Sequence, residues 1–439
     1  IRSLGEGCVD VTFVSTYSKI ESKYTKEYLR LPDNKKKWLA LLQKYGQISK
    51  EKVGMFPTDD DTAFWIDENY ETLQEYFIVP HAKGKKMRML ADKSVMNEIA
   101  KKAELNVPDF IKLSLSESER KNQYPIILKP YAGYAGSKGD ILICHNDNEY
   151  TNAIQILRKQ GYKEVLLQQL LDDPEQEEIG LMGMALKNGQ VVIPGIIHKI
   201  RSYPTGKGST SYARFSSDMS EINEEKIKQF VSATGYVGIF DIEMIKAYGR
   251  YWFIEINYRN GQYGYTPTAA GYNLPVNWLY GMKNEKVEKC NNLQEIYYIN
   301  ERDDYRHVKE GTINKKEWLK EFHAASAYGI YCPGDQRPFI RQYVKIPDRV
   351  IIKGNKLKSN IKDLLFREEW KIAIRKKEDK SLWEKGGESK EFTVLPNTIR
   401  YWAADPFIIS VGEKEYLFFE MFDRLKSKGL IGYREINGE

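Results

Sequence analysis

Two neighbouring segments in the middle of the chain are rich in β-branched and aromatic residues and are joined by a very short connection. They run from Val237 to Ile245 and from Tyr251 to Ile256, with Ala247-Tyr248-Gly249-Arg250 at the turn. A connection of this length joins adjacent antiparallel strands. The sequence therefore predicts a β-hairpin at this place.

Carboxylate and amide side chains recur at every second position of the predicted hairpin, as Asp241 and Glu243 on one strand and Glu255 and Asn257 on the other. Alternate residues of a strand share a face, so these oxygen ligands can converge. Such ligands, completed by phosphate oxygens, suit Mg²⁺ better than Zn²⁺, and Mn²⁺ is a second candidate. We predict a metal site of Asp241, Glu255 and Asn257; the alternative is a solvated hairpin face.

Length and composition indicate a globular protein of several domains. At roughly 150 residues per domain, 439 residues predict about three folding units. Hydrophobic residues make up 41% of the chain and charged residues 29%, the usual balance of folded proteins. The net charge of +6 is spread over many lysines, which argues against nucleic acid as a partner and suits an anionic small molecule.

The four cysteines lie far apart, without the paired spacing of a zinc or redox site, which fits a reducing cytoplasm. No apolar run approaches the ~18 residues that a membrane helix needs. No succession of residues resembles a secretory signal. We expect a cytoplasmic protein without a membrane span, and the sequence leaves its oligomeric state open.

The order of predicted elements indicates an α/β protein in three parts. Residues 1–88 alternate strands and helices, which predicts a small Rossmann-like unit with a parallel sheet whose first strand would precede Ile1. Residues 89–346 are expected to form the second part, in which alternating strands and helices are followed by longer strands. Residues 347–439 are expected to form a linker and an incomplete β-rich segment.

A second constellation lies upstream of the hairpin. A strand ends in Lys129-Pro130, and the loop Tyr131 to Gly139 follows, whose glycines allow backbone N–H groups to approach an anion. A later strand ends in Leu167-Gln168-Gln169-Leu170-Leu171. Together with the acidic hairpin, and in this order, these segments resemble the ATP-grasp superfamily, which includes carbamoyl-phosphate synthase and D-aspartate ligase, over about Ile1 to Ile346.

The resemblance implies that residues 89–346 form a two-lobed nucleotide-binding and catalytic body with an ATP site. Lys129 matches the lysine that touches the α- and β-phosphates, and Lys93 resembles the lysine that opens the domain, with an ordinary exposed helix lysine as the alternative. It also implies that Gln168 to Leu171 read adenine through backbone groups, although Gln169 stands where the family often has glutamate. Glu178 is favoured over Glu175 and Glu177 for the ribose hydroxyls. The expected nucleotide contacts are Lys93, Lys129, Gly133, Gly136, Ser137, Gln168, Gln169, Leu170, Leu171 and Glu178.

Three basic residues are expected near the reacting groups. Lys199 and Arg201 belong to a basic segment that resembles the family's flexible loop over the triphosphate, with a solvated turn as the alternative. Arg259 follows Asn257 on the same side, and its fork suits a phosphate or carboxylate. The resemblance implies attack of a carboxylate on the γ-phosphate, giving ADP and an acyl phosphate, and then amide formation by an amine.

The residues just past the hairpin are candidates for the pocket of the small carboxylate and amine substrates. They are Gln262, Tyr263, Tyr265 and Thr266. Ligand pockets are often lined by aromatic residues with a few polar groups, but a structural aromatic patch fits the same residues.

The C-terminal part contains Trp402-Ala403-Ala404-Asp405-Pro406-Phe407, which resembles the first blade of the five-bladed propeller of glycosidases and sugar-transferring proteins. The resemblance implies Asp405 and Glu420 as sugar-facing candidates, a β-meander being the alternative. It suggests a ligase that attaches an amino acid to a sugar-linked acceptor in a surface or capsular polysaccharide. The alternatives are a free amino-acid or dipeptide ligase of the D-aspartate ligase type and a non-catalytic ATP-binding regulatory module.

Overall fold

The computed structural model describes residues 1–17, 20–117, 123–130, 140–206, 208–343, 370–375, 392–398, 400–423 and 428–436. These residues belong to two compact units, Ile1–Pro338 and Phe339–Glu439. The longest described helix has 13 residues. None of the helices in the described ranges combines the length and the apolar character that a membrane crossing requires.

The first unit begins with small parallel sheets and short helices. Its first strands are β1 (Val11–Ser15), β2 (Thr25–Arg30), β3 (Val53–Gly54), β4 (Phe77–Ile78) and β5 (His81–Ala82). Its first helices are α1 (Arg2–Glu6), α2 (Trp38–Ile48), α3 (Asp60–Glu68), α4 (Tyr70–Leu73) and α5 (Met87–Leu90). β1 pairs with β2 and β3 with β4, both in parallel, as predicted. Asp59 caps α3 by accepting a hydrogen bond from the Thr62 N–H at 2.8 Å, which places Asp60 at the first helical position.

A four-stranded antiparallel sheet follows in the first unit. Its strands are β6 (Phe110–Ser114), β7 (Ile126–Pro130), β8 (Leu142–Cys144) and β9 (Glu164–Gln169), in the order β6-β9-β7-β8. The helices of this region are α6 (Lys93–Lys102) and α7 (Asp147–Lys159). The sequence does not predict β6, an edge strand whose exposed Lys112 interrupts its apolar run.

A larger sheet forms the centre of the first unit. Its remaining strands are β10 (Glu177–Ala185), β11 (Val191–Val192), β12 (Ile196–Tyr203), β13 (Ser209–Ser216), β14 (Tyr236–Ala247), β15 (Arg250–Asn257), β16 (Ile296–Ile299) and β17 (Ala327–Tyr328). The order is β15-β14-β10-β12-β13-β16-β17, with β11 beside β10 and β5 beside β14. The helices are α8 (Glu224–Thr234), α9 (Thr266–Ala269), α10 (Leu274–Met282), α11 (Glu301–Lys309) and α12 (Lys315–Ala324), and a further helix, α13 (Arg337–Tyr343), includes the last residues of the first unit and the first of the second. The apolar run from Val191 to His198 predicts one strand, but it is divided between β11 and β12, because Pro194 has no N–H for the ladder.

The predicted hairpin is confirmed. β14 and β15 pair antiparallel, and the loop between them has two residues, Tyr248 and Gly249. Both have positive φ, 52° and 69°, which is the conformation of a type I′ turn. This turn sets the register, and the register decides which side chains face each other.

The described strands of the second unit all pair antiparallel, and they are β18 (Ala373–Ile374), β19 (Thr393–Val394), β20 (Tyr401–Val411), β21 (Lys414–Asp423) and β22 (Lys428–Ile436). β20, β21 and β22 form a three-stranded meander. The buried carboxylate of Asp423 is paired with Arg400 at 2.7 Å. A three-stranded meander is compatible both with the first blade of a propeller and with a separate β-meander, so the propeller blade stays a prediction.

Candidate active site

The register of the hairpin gathers its polar side chains into one patch, here called the acidic face. Asp241 lies directly opposite Asn257, and Glu243 directly opposite Glu255. Directly opposed residues of an antiparallel pair project from the same side of the sheet. A Cβ on Gly261 would stand 2.7 Å from Oδ2 of Asp241, so only glycine lets the chain pass this closely.

Asp241 is the buried member of the acidic face, with 3% of its surface exposed. The Tyr263 hydroxyl donates a hydrogen bond to its Oδ1 at 2.6 Å. Burial, with the nearby charge of Glu243, raises the pKa of Asp241 to about 7, against the opposing effects of Tyr263 and Lys199. A cation placed beside this carboxylate would favour its charged form.

Lys93 and Lys129 bring positive charge to the other end of the acidic face. Lys93 Nζ lies 2.7 Å from Oε2 of Glu255, and its charge is the main reason that the pKa of Glu255 is lowered to about 2. Lys129, at the end of β7, is 6% exposed. Its burial, with the repulsion of Lys93, lowers the pKa of Lys129 to about 7, although Glu255 acts in the opposite direction. An anion bound here would restore the charge of Lys129.

Lys199 on β12 lies beside the acidic face. Its Nζ is 2.7 Å from Oε2 of Glu243 and 3.6 Å from Oε2 of Glu178. Burial alone would lower the pKa of Lys199, but these two carboxylates together raise it above its usual value. Lys199 therefore carries a charge that the acidic face holds in place.

Arg201 lies elsewhere, although it is only two residues from Lys199. Its guanidinium contacts Asp304 at 2.9 and 3.1 Å and Glu321 at 2.6 and 3.0 Å. It also lies over the ring of Tyr212 at 4.2 Å. The pairing of β12 with β13 is irregular between Lys199 and Arg201, and such a bulge breaks the alternation of side chains. The structure thus brings Lys199, but not Arg201, to the acidic face.

Arg259 is held by a residue that the sequence does not reveal. Its Nε donates to Oδ1 of Asp60 at 2.8 Å, and its Nη2 lies 3.3 Å from Oδ2 of Asp60 and 3.5 Å from Oδ1 of Asn257. Asp60 precedes Arg259 by 199 residues, so no local pattern indicates the pair. The only signal is the acidic start of α3, which reads as ordinary helix capping.

The expected adenine segment lies at the end of β9. The N–H of Gln169 donates to the carbonyl of Asp109 at 2.8 Å, and that of Leu170 to the carbonyl of Pro125 at 3.2 Å. Gln168 is 2% exposed, and its buried Nε2 has no hydrogen-bond partner among the described residues. The expected phosphate contacts Gly133, Gly136 and Ser137 lie outside the described residues.

The four residues expected in the substrate pocket occupy different environments. Tyr263 and Thr266 are buried, at 3% and 0% exposure, and Tyr263 contacts Asp241. Tyr265 donates to Oε2 of Glu6 at 2.8 Å and carries the Arg2 guanidinium 3.8 Å above its ring. Gln262 is exposed. Arg2 and Glu6 come from α1, and the sequence gives no sign of this contact.

The donor set of the acidic face fits Mg²⁺ that is bound together with a nucleotide. No group of three His, Cys, Asp or Glu side chains within the described ranges is close enough to hold a metal ion by itself. Mg²⁺ usually takes one or two carboxylates and completes its shell with water and substrate phosphates. Two carboxylates and one amide, from Asp241, Glu255 and Asn257, agree with that chemistry.

Comparison with known proteins gives one family and one curated relative. The ATP-grasp domain model matches residues 98–271. D-aspartate ligase of Enterococcus faecium (strain Aus0004) is 24% identical over 249 residues, which cover 53% of this chain. The match spans 59% of the length of that relative.

Solved structures with the same fold include three from bacteria. An L-amino acid ligase from Bacillus licheniformis superposes with a TM-score of 0.53 at 15% identity and covers 67% of this chain and 75% of that one. A biotin carboxylase from Campylobacter jejuni, in a beta-gamma-ATP complex, gives 0.54 at 14% identity, covering 67% and 70%. N5-carboxyaminoimidazole synthetase from Staphylococcus aureus, complexed with ADP, gives 0.53 at 14% identity, covering 70% and 80%. The predicted fold class, a mixed α/β fold of the ATP-grasp type, is thus confirmed.

Proposed function

We propose that the protein is an ATP-dependent ligase that joins a carboxylate to an amine and releases ADP and phosphate. The observation that carries this proposal is the meeting of the acidic face with Lys93 and Lys129, in a chain whose residues 98–271 match the ATP-grasp domain model. A triphosphate and its cation need both kinds of charge at one place. The D-aspartate ligase and L-amino acid ligase among the similar proteins support C–N bond formation.

For the nucleotide, we assign Lys93 and Lys129 to the phosphates, together with Gly133, Gly136 and Ser137 of the glycine loop. The adenine would contact the backbone from Gln168 to Leu171. Because the N–H groups of Gln169 and Leu170 already donate to protein carbonyls, we favour the N–H of Leu171 as the donor to the base. Glu178 is assigned to the ribose, beside Lys199.

For the metal, we assign Asp241, Glu255 and Asn257 to Mg²⁺, with Mn²⁺ as a second candidate. When bound, the ion would offset negative charge on the β- and γ-phosphates. Tyr263 holds Oδ1 of Asp241, so we assign the other oxygen, Oδ2, to the ion. Lys93 likewise holds one oxygen of Glu255, to which its ammonium group donates a hydrogen bond.

In the proposed reaction, an oxygen of the substrate carboxylate attacks the γ-phosphorus, and the bond from that phosphorus to the β-γ bridging oxygen breaks to release ADP. The amine nitrogen then attacks the acyl carbon, phosphate leaves, and the nitrogen loses a proton. We assign Lys199 to offset charge on the transferred phosphoryl group and Arg259 to bind the carboxylate. We assign Arg201 to holding α11 and α12 against β12, because Asp304 and Glu321 occupy its guanidinium.

For the substrates, we propose amino acids as the carboxylate and amine, in line with the two ligases named above. A sugar-linked acceptor in a surface or capsular polysaccharide is a finer proposal that depends on the second unit alone. The division into residues 1–88, 89–346 and 347–439 also remains a proposal. Gln262 and Tyr265, which are not fully buried, are the better candidates for substrate contact among the four predicted residues.

The proposal is tested by ADP release from purified protein with ATP and Mg²⁺, using pairs drawn from D-aspartate, the common L-amino acids and glucuronate. Hydroxylamine added to the reaction should trap the acyl phosphate as a hydroxamate. Lys129→Met should bind less ATP and form less hydroxamate. Binding of ATP without ADP formation for every pair would instead favour the regulatory ATP-binding module.

A further inference from the structure

The pair of Asp60 and Arg259 joins the start of α3 to the end of the hairpin. Two hydrogen bonds link the side chains, at 2.8 and 3.3 Å. Arg259 is 21% exposed and Asp60 39% exposed. A pair this open to water contributes little to folding stability. The main effect of the pair is therefore on the orientation of the Arg259 guanidinium.

Three acceptors together fix the plane of the Arg259 guanidinium. The carboxylate of Asp60 accepts hydrogen bonds from Nε and Nη2 of Arg259. Oδ1 of Asn257 lies 3.5 Å from Nη2, and the carbonyl oxygen of Asn260 lies 3.4 Å from Nη1. Asp60 supplies the shortest of these contacts and the only negative charge among the three. Without it, the long arginine side chain would regain rotational freedom at the edge of the acidic face.

We infer that Asp60 is a positioning residue, which acts through Arg259 to hold the guanidinium where the carboxylate substrate is phosphorylated. The inference depends on the proposed ligase function and adds to it a role for the N-terminal α/β segment. A guanidinium has five N–H donors, so an arginine held by Asp60 through Nε still has donors for a substrate oxygen. Asp60 itself touches no reacting group in this scheme.

The matched control is Asp61, the next residue of the same helix. Asp60 and Asp61 both lie in the first turn of α3, where an acidic residue interacts favourably with the helix dipole. Asp61 is exposed, whereas Asp60 is turned toward Arg259. Substituting either residue removes one charge from the same turn, so the comparison isolates the contact with Arg259.

The test is steady-state ADP release by Asp60→Ala, Asp60→Asn and Asp61→Ala, with the most active carboxylate and amine pair of the set above. A displaced guanidinium should lower kcat/KM for the carboxylate roughly tenfold to a hundredfold in Asp60→Ala. The KM for ATP should stay within about twofold, since the nucleotide contacts are untouched. Asp60→Asn, which keeps an acceptor for Nε, should fall between Asp60→Ala and the wild type.

A second arm asks whether Asp60 acts through Arg259. Asp60→Ala added to Arg259→Ala should cause no further loss, because effects through one residue are not additive. If the wild type is active and Asp60→Ala behaves like Asp61→Ala, the inference is wrong and the ligase proposal stands. If the wild type releases no ADP with any pair, the ligase proposal fails first, and the role of Asp60 fails with it.

Discussion

The ammonium group of Lys93 lies 2.7 Å from Oε2 of Glu255 and connects the first residue of α6 to β15. The two side chains are only 13% and 28% exposed. The pair neutralises one carboxylate of the acidic face while no nucleotide is bound. Phosphate oxygens would compete with Glu255 for the Lys93 ammonium group, and Mg²⁺ would compete with Lys93 for the Glu255 carboxylate. The two side chains are therefore expected to move apart when the nucleotide binds.

Replacement of Lys93 by methionine should weaken the protein in two measurable ways. The partly buried Glu255 loses the charge that stabilises it, so the free energy of unfolding should fall by about 1–3 kcal/mol in urea titrations. The proposed nucleotide site loses a phosphate contact, so the dissociation constant of ATP should rise by about tenfold or more in calorimetry with Mg²⁺.

Lys102→Met is the control, because Lys102 is an exposed lysine at the other end of α6. It should leave both quantities within experimental error. If Lys93→Met and Lys102→Met bound ATP equally well, Lys93 would be an ordinary helix lysine as far as the nucleotide is concerned.

The hairpin could be predicted from the sequence because its information is local. The β-rich runs, the short turn and the alternating acids all lie between Val237 and Asn257, and period-2 alternation is enough to place Asp241 and Glu243 on one face. The same kind of pattern, a strand ending in Lys129, located the lysine at the end of β7.

The partners of these residues could not be predicted, because they come from distant parts of the chain. Asp60 for Arg259, Asp304 for Arg201 and Glu6 for Tyr265 are separated from them by 199, 103 and 259 residues. Arg201 also shows how one irregular pair of residues defeats a period-2 argument, since the bulge after Lys199 turns the next basic side chain away.

Lys129 should take up a proton when ATP binds near pH 8. In the free protein its pKa is lowered to about 7 by burial and by Lys93, so most of it is neutral at that pH. Phosphate oxygens favour the charged form and raise the pKa, which requires a proton from solution. Calorimetry in buffers of different ionisation enthalpy should detect this uptake at pH 8 and much less at pH 6, where Lys129 is already protonated.

The same lowered pKa affects stability in the absence of nucleotide. Between pH 7 and the usual lysine pKa of about 10.5, the unfolded chain binds more protons at this residue than the folded one, so its contribution to stability rises with pH. The Lys129→Met protein should show neither this rise in stability nor the proton uptake. Lys163 is exposed, so the Lys163→Met protein should retain both. Uptake that persisted unchanged in Lys129→Met would assign the proton to another group.

Tyr263 is expected to control the metal requirement through Asp241. Tyr263→Phe removes the hydroxyl that donates to Oδ1 at 2.6 Å and leaves the carboxylate free to rotate. Loss of such a supporting contact typically weakens a metal site by about 10- to 100-fold. The Mg²⁺ concentration for half-maximal ADP release should rise accordingly, and binding of Mn²⁺ with a non-hydrolysable ATP analogue, followed by electron paramagnetic resonance, should weaken in parallel.

Tyr236→Phe is a control of the same chemistry and burial. Tyr236 is also 3% exposed, but its hydroxyl lies 2.9 Å from the carbonyl oxygen of Ile239 and 3.0 Å from that of Tyr258, either of which can accept its proton. Both variants should lose some stability, and only Tyr263→Phe should change the metal dependence. An equal change in the two would mean that Tyr263 acts through general packing.

Arg201 should matter for folding more than for chemistry. Its partner Asp304 is completely buried, so Arg201→Met leaves a charge in the interior that Ser211 and Trp318 compensate only by hydrogen bonds. Removing one member of a buried pair of this kind costs about 3 kcal/mol or more in the free energy of unfolding. Arg201→Met should therefore unfold at clearly lower urea concentration, and Asp304→Asn introduced with it should restore part of the loss.

Arg214→Met is the control, because it removes an arginine without leaving a buried charge unpaired. Arg214 lies on the neighbouring strand β13 in an exposed pair with Glu295, for which about 1 kcal/mol or less is expected. Below its unfolding transition, Arg201→Met should retain the KM for ATP, because the guanidinium is committed to Asp304 and Glu321. An Arg201→Met protein as stable as the wild type but unable to release ADP would return Arg201 to the phosphate site, and would mean that the basic segment rearranges when the nucleotide binds.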